Sequence, residues 1–320
     1  MMQTANWSQS VLAAHRRIRP HVERTPVEEI SDLVADGLSH VWAKREDLQQ
    51  TGSFKLRGAT NRILQLTPYE KSAGVVAASN GNHGLGVAAA SKRVGISAEV
   101  YVSDHVAPQK AKRIEEYGAR IHRAGSDPLD AEATARQRAM ESGRVFISPY
   151  NDWDVLAGQG TIAVELLEQI PQLDAVFVAV GGGGLVGGIG AYLKYASPKT
   201  EVVACWPENS PVLYESMKAG WILPVQEEPT LSESTSGGLE EGSVTLEVCQ
   251  AVIDSCVLVS EEEILDAMRL VQRAKGWLIE GAAGVALAGF LKTAARYEGK
   301  TVAVVICGGN LSQRVKDLLQ

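Results

Sequence analysis

The chain has 320 residues, of which 45% are hydrophobic and 22% charged, with 31 Lys and Arg against 38 Asp and Glu and a net charge of −7. That length suits two lobes with substantial cores, and the composition is ordinary for a soluble enzyme. The acidic balance argues against nucleic acid or an anionic membrane as a partner, although a helix terminus can still attract a small anion.

In chain order, residues 1–19 lack the apolar core of a signal peptide, so secretion is not expected. Residues 41–46 read as a strand, and Lys55 opens a helix running toward Leu66. An ammonium at a helix start opposes the helix dipole. The position is tolerable if the amine works as a neutral nucleophile or is tied up as an imine; otherwise Lys55 is a solvated surface lysine. Further strands are expected at 74–78, 98–102 and 119–123, with helices at 82–93, 108–117 and 130–142. Later strands fall at 175–180, 201–205, 257–259 and 301–306, each beside helical segments. Fully apolar strands between helices predict an α/β fold with parallel sheet covered on both faces. The uncharged run 175–193 is long enough for a membrane span, but Gly181-Gly182-Gly183-Gly184 in its middle reads better as strand, tight turn and helix. Segment 227–242, rich in Ser, Thr, Gly and Glu, reads either as a loop lining a cleft or as a mobile surface loop. Cys205, Cys249, Cys256 and Cys307 show neither metal nor redox spacing, as expected of a reducing cytoplasm.

Three glycine-rich turns follow predicted strands. In Ser79-Asn80-Gly81-Asn82-His83-Gly84, backbone N–H groups at a helix start form an anion site, although Ser and Asn also serve as plain N-caps. In Gly181-Gly182-Gly183-Gly184-Leu185-Val186-Gly187, four glycines let the backbone approach a phosphate with a helix N-terminus behind it. Gly182, Gly184 and Gly187 also satisfy G-x-G-x-x-G, and Glu208 stands near the end of the next strand, so a nicotinamide oxidoreductase is an alternative. The third turn is Cys307-Gly308-Gly309-Asn310. Its cysteine lies at a strand's carboxyl end, where open α/β sheets bind ligands, or is a buried core thiol.

From Pro20 onward the chain resembles the threonine dehydratase and serine racemase family of fold type II pyridoxal-phosphate enzymes. The resemblance rests on Ser53-Phe54-Lys55-Leu56-Arg57-Gly58-Ala59, the asparagine loop 79–83, Ala157-Gly158-Gln159-Gly160-Thr161, the glycine quartet, Glu280-Gly281-Ala282-Ala283-Gly284 and the Cys307 turn. It implies two open, mostly parallel sheets with helices on both faces: a large cofactor-binding lobe of residues 1–50 and 148–320 and a small lobe of residues 51–147. It implies pyridoxal 5'-phosphate held as an imine on Lys55, which later acts as base. Phe54 would adjoin the cofactor, and the backbone N–H groups of Gly181, Gly182, Gly183, Gly184 and Leu185 would take its phosphate. Asn82 would bond the pyridine hydroxyl, and Cys307 would face the pyridine nitrogen. Ser79, Asn80, Gly81 and His83 would hold the substrate carboxylate, with Tyr150, Asn151 and residues 232–238 around its side chain. A thiol is a weaker partner for the ring nitrogen than a carboxylate, so loss of a β-leaving group becomes attractive as the Cα proton departs. The expected reaction is therefore loss of water from a 3-hydroxy amino acid, threonine, serine or a bulkier analogue such as phenylserine, giving a 2-oxo acid and ammonia. Racemisation or another β-elimination or replacement is the alternative.

Three departures refine this expectation. Asn80 stands where racemases of the family carry a second serine, which disfavours racemisation. Trp206 and Val212 occupy the places of the carboxylate pair of cation-activated members, so no metal is expected, Glu208 leaving a small opening. The chain ends at Gln320 without a regulatory domain, so isoleucine feedback is not expected. Ser234 stands where many relatives have glycine, and no arginine stands out near the side-chain pocket, which disfavours 3-hydroxyaspartate. A cytoplasmic homodimer acting on a small amino acid, without nucleic-acid or membrane partners, completes the expectation.

Overall fold

The computed structural model describes residues 2–34, 39–126 and 128–320. Its strands are β1 (Val27–Glu29), β2 (Ser39–Arg45), β3 (Val75–Ala78), β4 (Ala98–Val102), β5 (Arg120–Arg123), β6 (Val145–Phe146), β7 (Ala175–Ala179), β8 (Glu201–Pro207), β9 (Ser255–Val259) and β10 (Lys300–Ile306). They form a six-stranded sheet in the order β1-β2-β10-β7-β8-β9 and a four-stranded sheet in the order β5-β4-β3-β6. Of the pairings between these strands only β1–β2 is antiparallel. The α/β class and the two mostly parallel sheets are those expected. β8 runs two residues past its predicted end because β9 continues beside it, pairing Pro207 with Val259. β1 and β6, three and two residues long, are too short to show a period in the sequence.

Every residue of β7 is buried, which explains its unbroken apolar run. Phe177 at its centre meets Phe290 and Tyr297 edge-on, with ring centroids 5.4 and 5.1 Å apart. A second core, including Val75, Ala77, Val100 and Ile63, fills the small sheet's side. No helix of the described residues is long and apolar enough to cross a membrane.

Three helices, Lys55–Leu64, Trp153–Gln169 and Gly184–Ala196, are locked together through the motif Ala157-Gly158-Gln159-Gly160-Thr161. A Cβ on Gly158 would come 2.6 Å from the Gly58 Cα, and one on Gly160 would come 2.5 Å from the Gly188 oxygen. The helix that begins at Lys55 and the helix that follows the glycine quartet thus rest on one shared strut.

Beside Gly58, Arg57 is fully buried and paired with Glu46 and Glu165, each at 2.7 Å, and Lys44 lies 2.6 Å from Glu165. Two cations and two carboxylates in one dry cluster tie the Lys55–Leu64 helix to β2 and to the central helix. Pairing of this kind is the condition for holding charges in a core.

Candidate active site

The functional turns all lie at carboxyl ends of parallel strands: 79–81 after β3, the glycine quartet after β7, Cys307 after β10, and the segment leading to Lys55 after β2. Two neighbouring cavities form where these ends converge. The larger, about 530 Å³, is lined by Lys55, residues 78–83, Pro149, Ser234, Ser236 and Glu280 among others. The smaller is a slot walled by Phe54, Tyr150, Gly181, Gly182, Gly183, Gly184, Leu185, Thr235 and Cys307. Lys55, Asn82, Ser234 and Glu280 border both.

Lys55 is the first residue of its helix, as expected, and no side chain caps that end. Its Nζ donates to the Pro149 carbonyl at 2.8 Å and sits 5.1 Å from the Phe54 ring centroid. Burial draws its pKa from 10.5 down to about 8, against an upward pull from Cys307 and Glu280. A large fraction of the amine is therefore neutral slightly above neutral pH, the state a nucleophile or base requires.

The glycine quartet is glycine for a reason visible behind it. A Cβ on Gly181 would lie 2.7 Å from the Thr235 oxygen, and one on Gly182 would collide with the Tyr150 ring. Gly183 has φ +85° and caps the Gly184–Ala196 helix, whose first N–H groups lack intrahelical partners. The slot thus offers backbone donors and a helix dipole to an anion.

Cys307 is stitched to Lys55 through the backbone: the Phe54 N–H donates to the Cys307 oxygen at 3.0 Å, and the Gly309 N–H to the Gly52 oxygen at 3.0 Å. Burial pushes its thiol well above the usual range, with Glu280 adding to the rise, so it stays protonated. His83 Nε2 lies 2.8 Å from the Ile147 oxygen; a carbonyl only accepts, so this nitrogen carries the proton. Burial, then the charge of Lys55, lowers its pKa to about 3, and the ring is neutral.

Several side chains have partners or neighbours that the sequence does not reveal. Asn80 is held at both ends by Ser103, donating to its Oγ and accepting from its N–H, each at 2.8 Å. The Ser79 Oγ accepts from the Gly81 N–H at 3.1 Å. Tyr150 borders the slot and not the larger cavity, its hydroxyl accepting from the Glu240 N–H at 3.0 Å. Asn151 lines neither; its side chain bonds Glu240 and the Val244 N–H. Glu208 is exposed and lines neither cavity, so the ribose contact of a nicotinamide enzyme has no counterpart here. Segment 227–242 is a cleft-lining loop, contributing Leu231, Glu233, Ser234 and Ser236 to the larger cavity.

Two features were missed. Glu280 is a buried carboxylate whose oxygens receive the Asn82 amide at 3.0 and 2.9 Å and the Ser234 hydroxyl at 3.0 Å; burial raises its pKa. Its motif carries the family resemblance, but the sequence gives the acid no role. The signal was there: Gly281 follows because a Cβ would overlap the Leu231 oxygen, which presses the loop onto the acid. The expectation that no arginine stands near the substrate is corrected as well: Arg113 and Lys110 line the larger cavity. They come from the Pro108–Glu116 helix, far in sequence from Tyr150, Asn151 and residues 232–238. Among the described residues no three His, Cys, Asp or Glu side chains converge as for a metal ion.

Comparison with known proteins agrees with this geometry. Residues 18–308 match the family described as pyridoxal-phosphate dependent enzyme. The chain is 36% identical over 309 residues to an L-threonine ammonia-lyase of Thermotoga maritima, covering 97% of this chain and 77% of the relative. It is 35% identical over 304 residues to a beta-hydroxyaspartate dehydratase of Paracoccus denitrificans, covering 95% and 96%. The solved structure of maize serine racemase matches with a TM-score of 0.91 at 30% identity, over 97% of this chain and 95% of that one.

Proposed function

Because the chain belongs to the family of pyridoxal-phosphate dependent enzymes, with pyridoxal 5'-phosphate as its cofactor, we propose that it is a dehydratase (ammonia-lyase) that removes water from a 3-hydroxy amino acid and releases an enamine, which water then hydrolyses to a 2-oxo acid and ammonia. The residues fit the cofactor. The glycine slot admits no side chains and offers N–H donors for a phosphate, an amine stands at the junction of the two cavities, and a protonated thiol closes the far side of the slot. When bound, the group withdraws electrons from the substrate Cα and so eases loss of its proton.

The chain's own residues supply the rest. Phe54 and Leu185 wall the slot, and the N–H groups of Gly181, Gly182, Gly183 and Gly184 hold the phosphate. The helix start at Asn82, with the backbone of Ser79, Asn80 and Gly81, holds the substrate carboxylate. Asn82 is oriented for the ring hydroxyl by Glu280 and by Asn310, whose Nδ2 donates to its Oδ1 at 2.6 Å. His83, neutral and tied to Ile147, braces that loop without adding charge. Lys55 Nζ takes the Cα proton, and Cys307 offers the ring nitrogen a neutral partner. Tyr150 acts through the slot's wall and not through the substrate side chain.

The observation that carries elimination over racemisation is Asn80. An amide is no acid, and Ser103 holds this one from both ends, so that position returns no proton on the face opposite Lys55. The same proposal includes a large lobe of residues 1–50 and 148–320 and a small lobe of 51–147, supported by each sheet drawing its strands from only one of them. It also includes a cytoplasmic homodimer.

The test is a panel of 3-hydroxy amino acids, threonine, serine, 3-hydroxyaspartate and phenylserine, assayed for 2-oxo acid release. Borohydride trapping and peptide mapping should label Lys55. Lys55→Ala is expected to lose the label, the visible absorbance of the loaded protein and roughly 10³-fold or more of turnover. A label on another lysine, or a panel that only inverts stereochemistry, would refute the assignment.

A further inference from the structure

The chemistry above leaves two cations in the larger cavity, Arg113 and Lys110, without a task. Arg113 is partly buried on the wall of that cavity, and its Nη1 donates to the Asn310 Oδ1 at 2.7 Å. Among the described residues it makes no ion pair. A guanidinium carries five N–H donors in a fixed fork, so most of its capacity is uncommitted.

Its placement is built. Asn310 is held on its other side by Nδ2 bonds to the Thr51 oxygen at 2.9 Å and to Asn82 Oδ1 at 2.6 Å. Gly52 keeps room for that amide, since a Cβ there would come 2.7 Å from Asn310 Oδ1. Arg113 is therefore fixed two hydrogen bonds from Asn82, which borders both cavities. Lys110, also on the wall, has its carboxylate partner Glu233 at 3.7 Å, too long for a good hydrogen bond. The carboxylates of the wall are otherwise engaged: Glu280 by Asn82 and Ser234, and Glu233 by the Ser312 hydroxyl at 2.8 Å. In a protein of net charge −7, an uncommitted guanidinium inside a cleft attracts an anion that the whole molecule would repel.

We propose that Arg113, assisted by Lys110, is a specificity-determining residue that selects 3-hydroxy amino acids carrying a second carboxylate on the side chain. This rests on the dehydratase reading and names its substrate class. The substrate's own carboxylate has the helix start at Asn82, so Arg113 addresses a different group. The planar fork suits a carboxylate, which it can grip with two parallel N–H bonds.

The experiment compares kcat/KM for 3-hydroxyaspartate and for serine in the wild type, Arg113→Ala, Arg113→Lys and Lys112→Ala. Lys112 is exposed on the same helix and lines neither cavity, so it controls for loss of one charge. The wild type should favour the dicarboxylic substrate. The ratio of the two kcat/KM values should fall roughly 10–100-fold in Arg113→Ala, mainly through KM. It should fall by less in Arg113→Lys and hold within about two-fold in Lys112→Ala. Calorimetric titration with succinate, which cannot react, should weaken in parallel in Arg113→Ala, while propionate should not. A wild-type ratio favouring serine, or an unchanged ratio in Arg113→Ala, overturns the inference and leaves the dehydratase reading standing. If no 3-hydroxy amino acid turns over in protein labelled at Lys55, the dehydratase reading fails, and the succinate titration alone then decides whether Arg113 binds a carboxylate.

Discussion

Lys55 and Arg57 stand two residues apart on one helix, and their surroundings differ in kind. Arg57 is enclosed with Glu46, Glu165 and Lys44 in a balanced cluster, and those carboxylates outweigh burial and raise its pKa. Lys55 forms no ion pair among the described residues; it meets the Pro149 carbonyl, and burial lowers its pKa to about 8. The first charge is neutralised by its neighbours and serves as a fastener. The second is left without a counter-ion so that its proton can move. A charge paired on every side gives the fold rigidity, and a charge denied a partner gives it chemistry.

The largest effect on stability should come from breaking the fastener. Arg57→Ala leaves Glu46 in a dry interior without its cation and Glu165 with Lys44 alone, and is expected to destabilise the cofactor-free protein by about 3–5 kcal/mol in urea unfolding. A loss below about 1 kcal/mol would mean that the two cations do not differ as described. Next comes the slot: Gly182→Ala drives a methyl group into the Tyr150 ring. It should lose about 1–3 kcal/mol through overpacking and raise the Kd for pyridoxal 5'-phosphate roughly tenfold, as read by fluorescence titration. Retained affinity would show that the phosphate rests elsewhere.

The last expected effect is a slope. Between pH 8 and 10.5 the unfolded chain still holds the Lys55 proton while the folded chain has released it, so this group makes stability rise with pH across that window. Below pH 8 both states are protonated, and the penalty for burying the charge is present in full. Lys55→Met should flatten the rise in unfolding free energy of the cofactor-free protein between pH 8 and 10. Parallel curves for wild type and variant would place Lys55 in water and remove the contrast with Arg57.

Much of this site was legible in the sequence. The strand ends, the quartet and the amine at a helix start are local patterns, and the expected strands fall within one or two residues of those observed. The misreadings share a cause. Asn80 was judged by its loop, but Ser103 claims it from the end of the neighbouring strand. Tyr150 was assigned to the substrate side chain, but it backs Gly182. Glu280 and Arg113 acquire meaning only through partners about two hundred positions away, Asn82 and Asn310.

Sequence alone determined which turns can cradle an anion and which amine opens a helix, because glycine's freedom, helix-end donors and strand apolarity act within a few residues. Tertiary structure decided which side chains share a cavity, which charges are paired and how far a pKa moves. Those quantities depend on desolvation and Coulomb contacts, and these are set by whichever distant segments the fold brings to within a few ångströms.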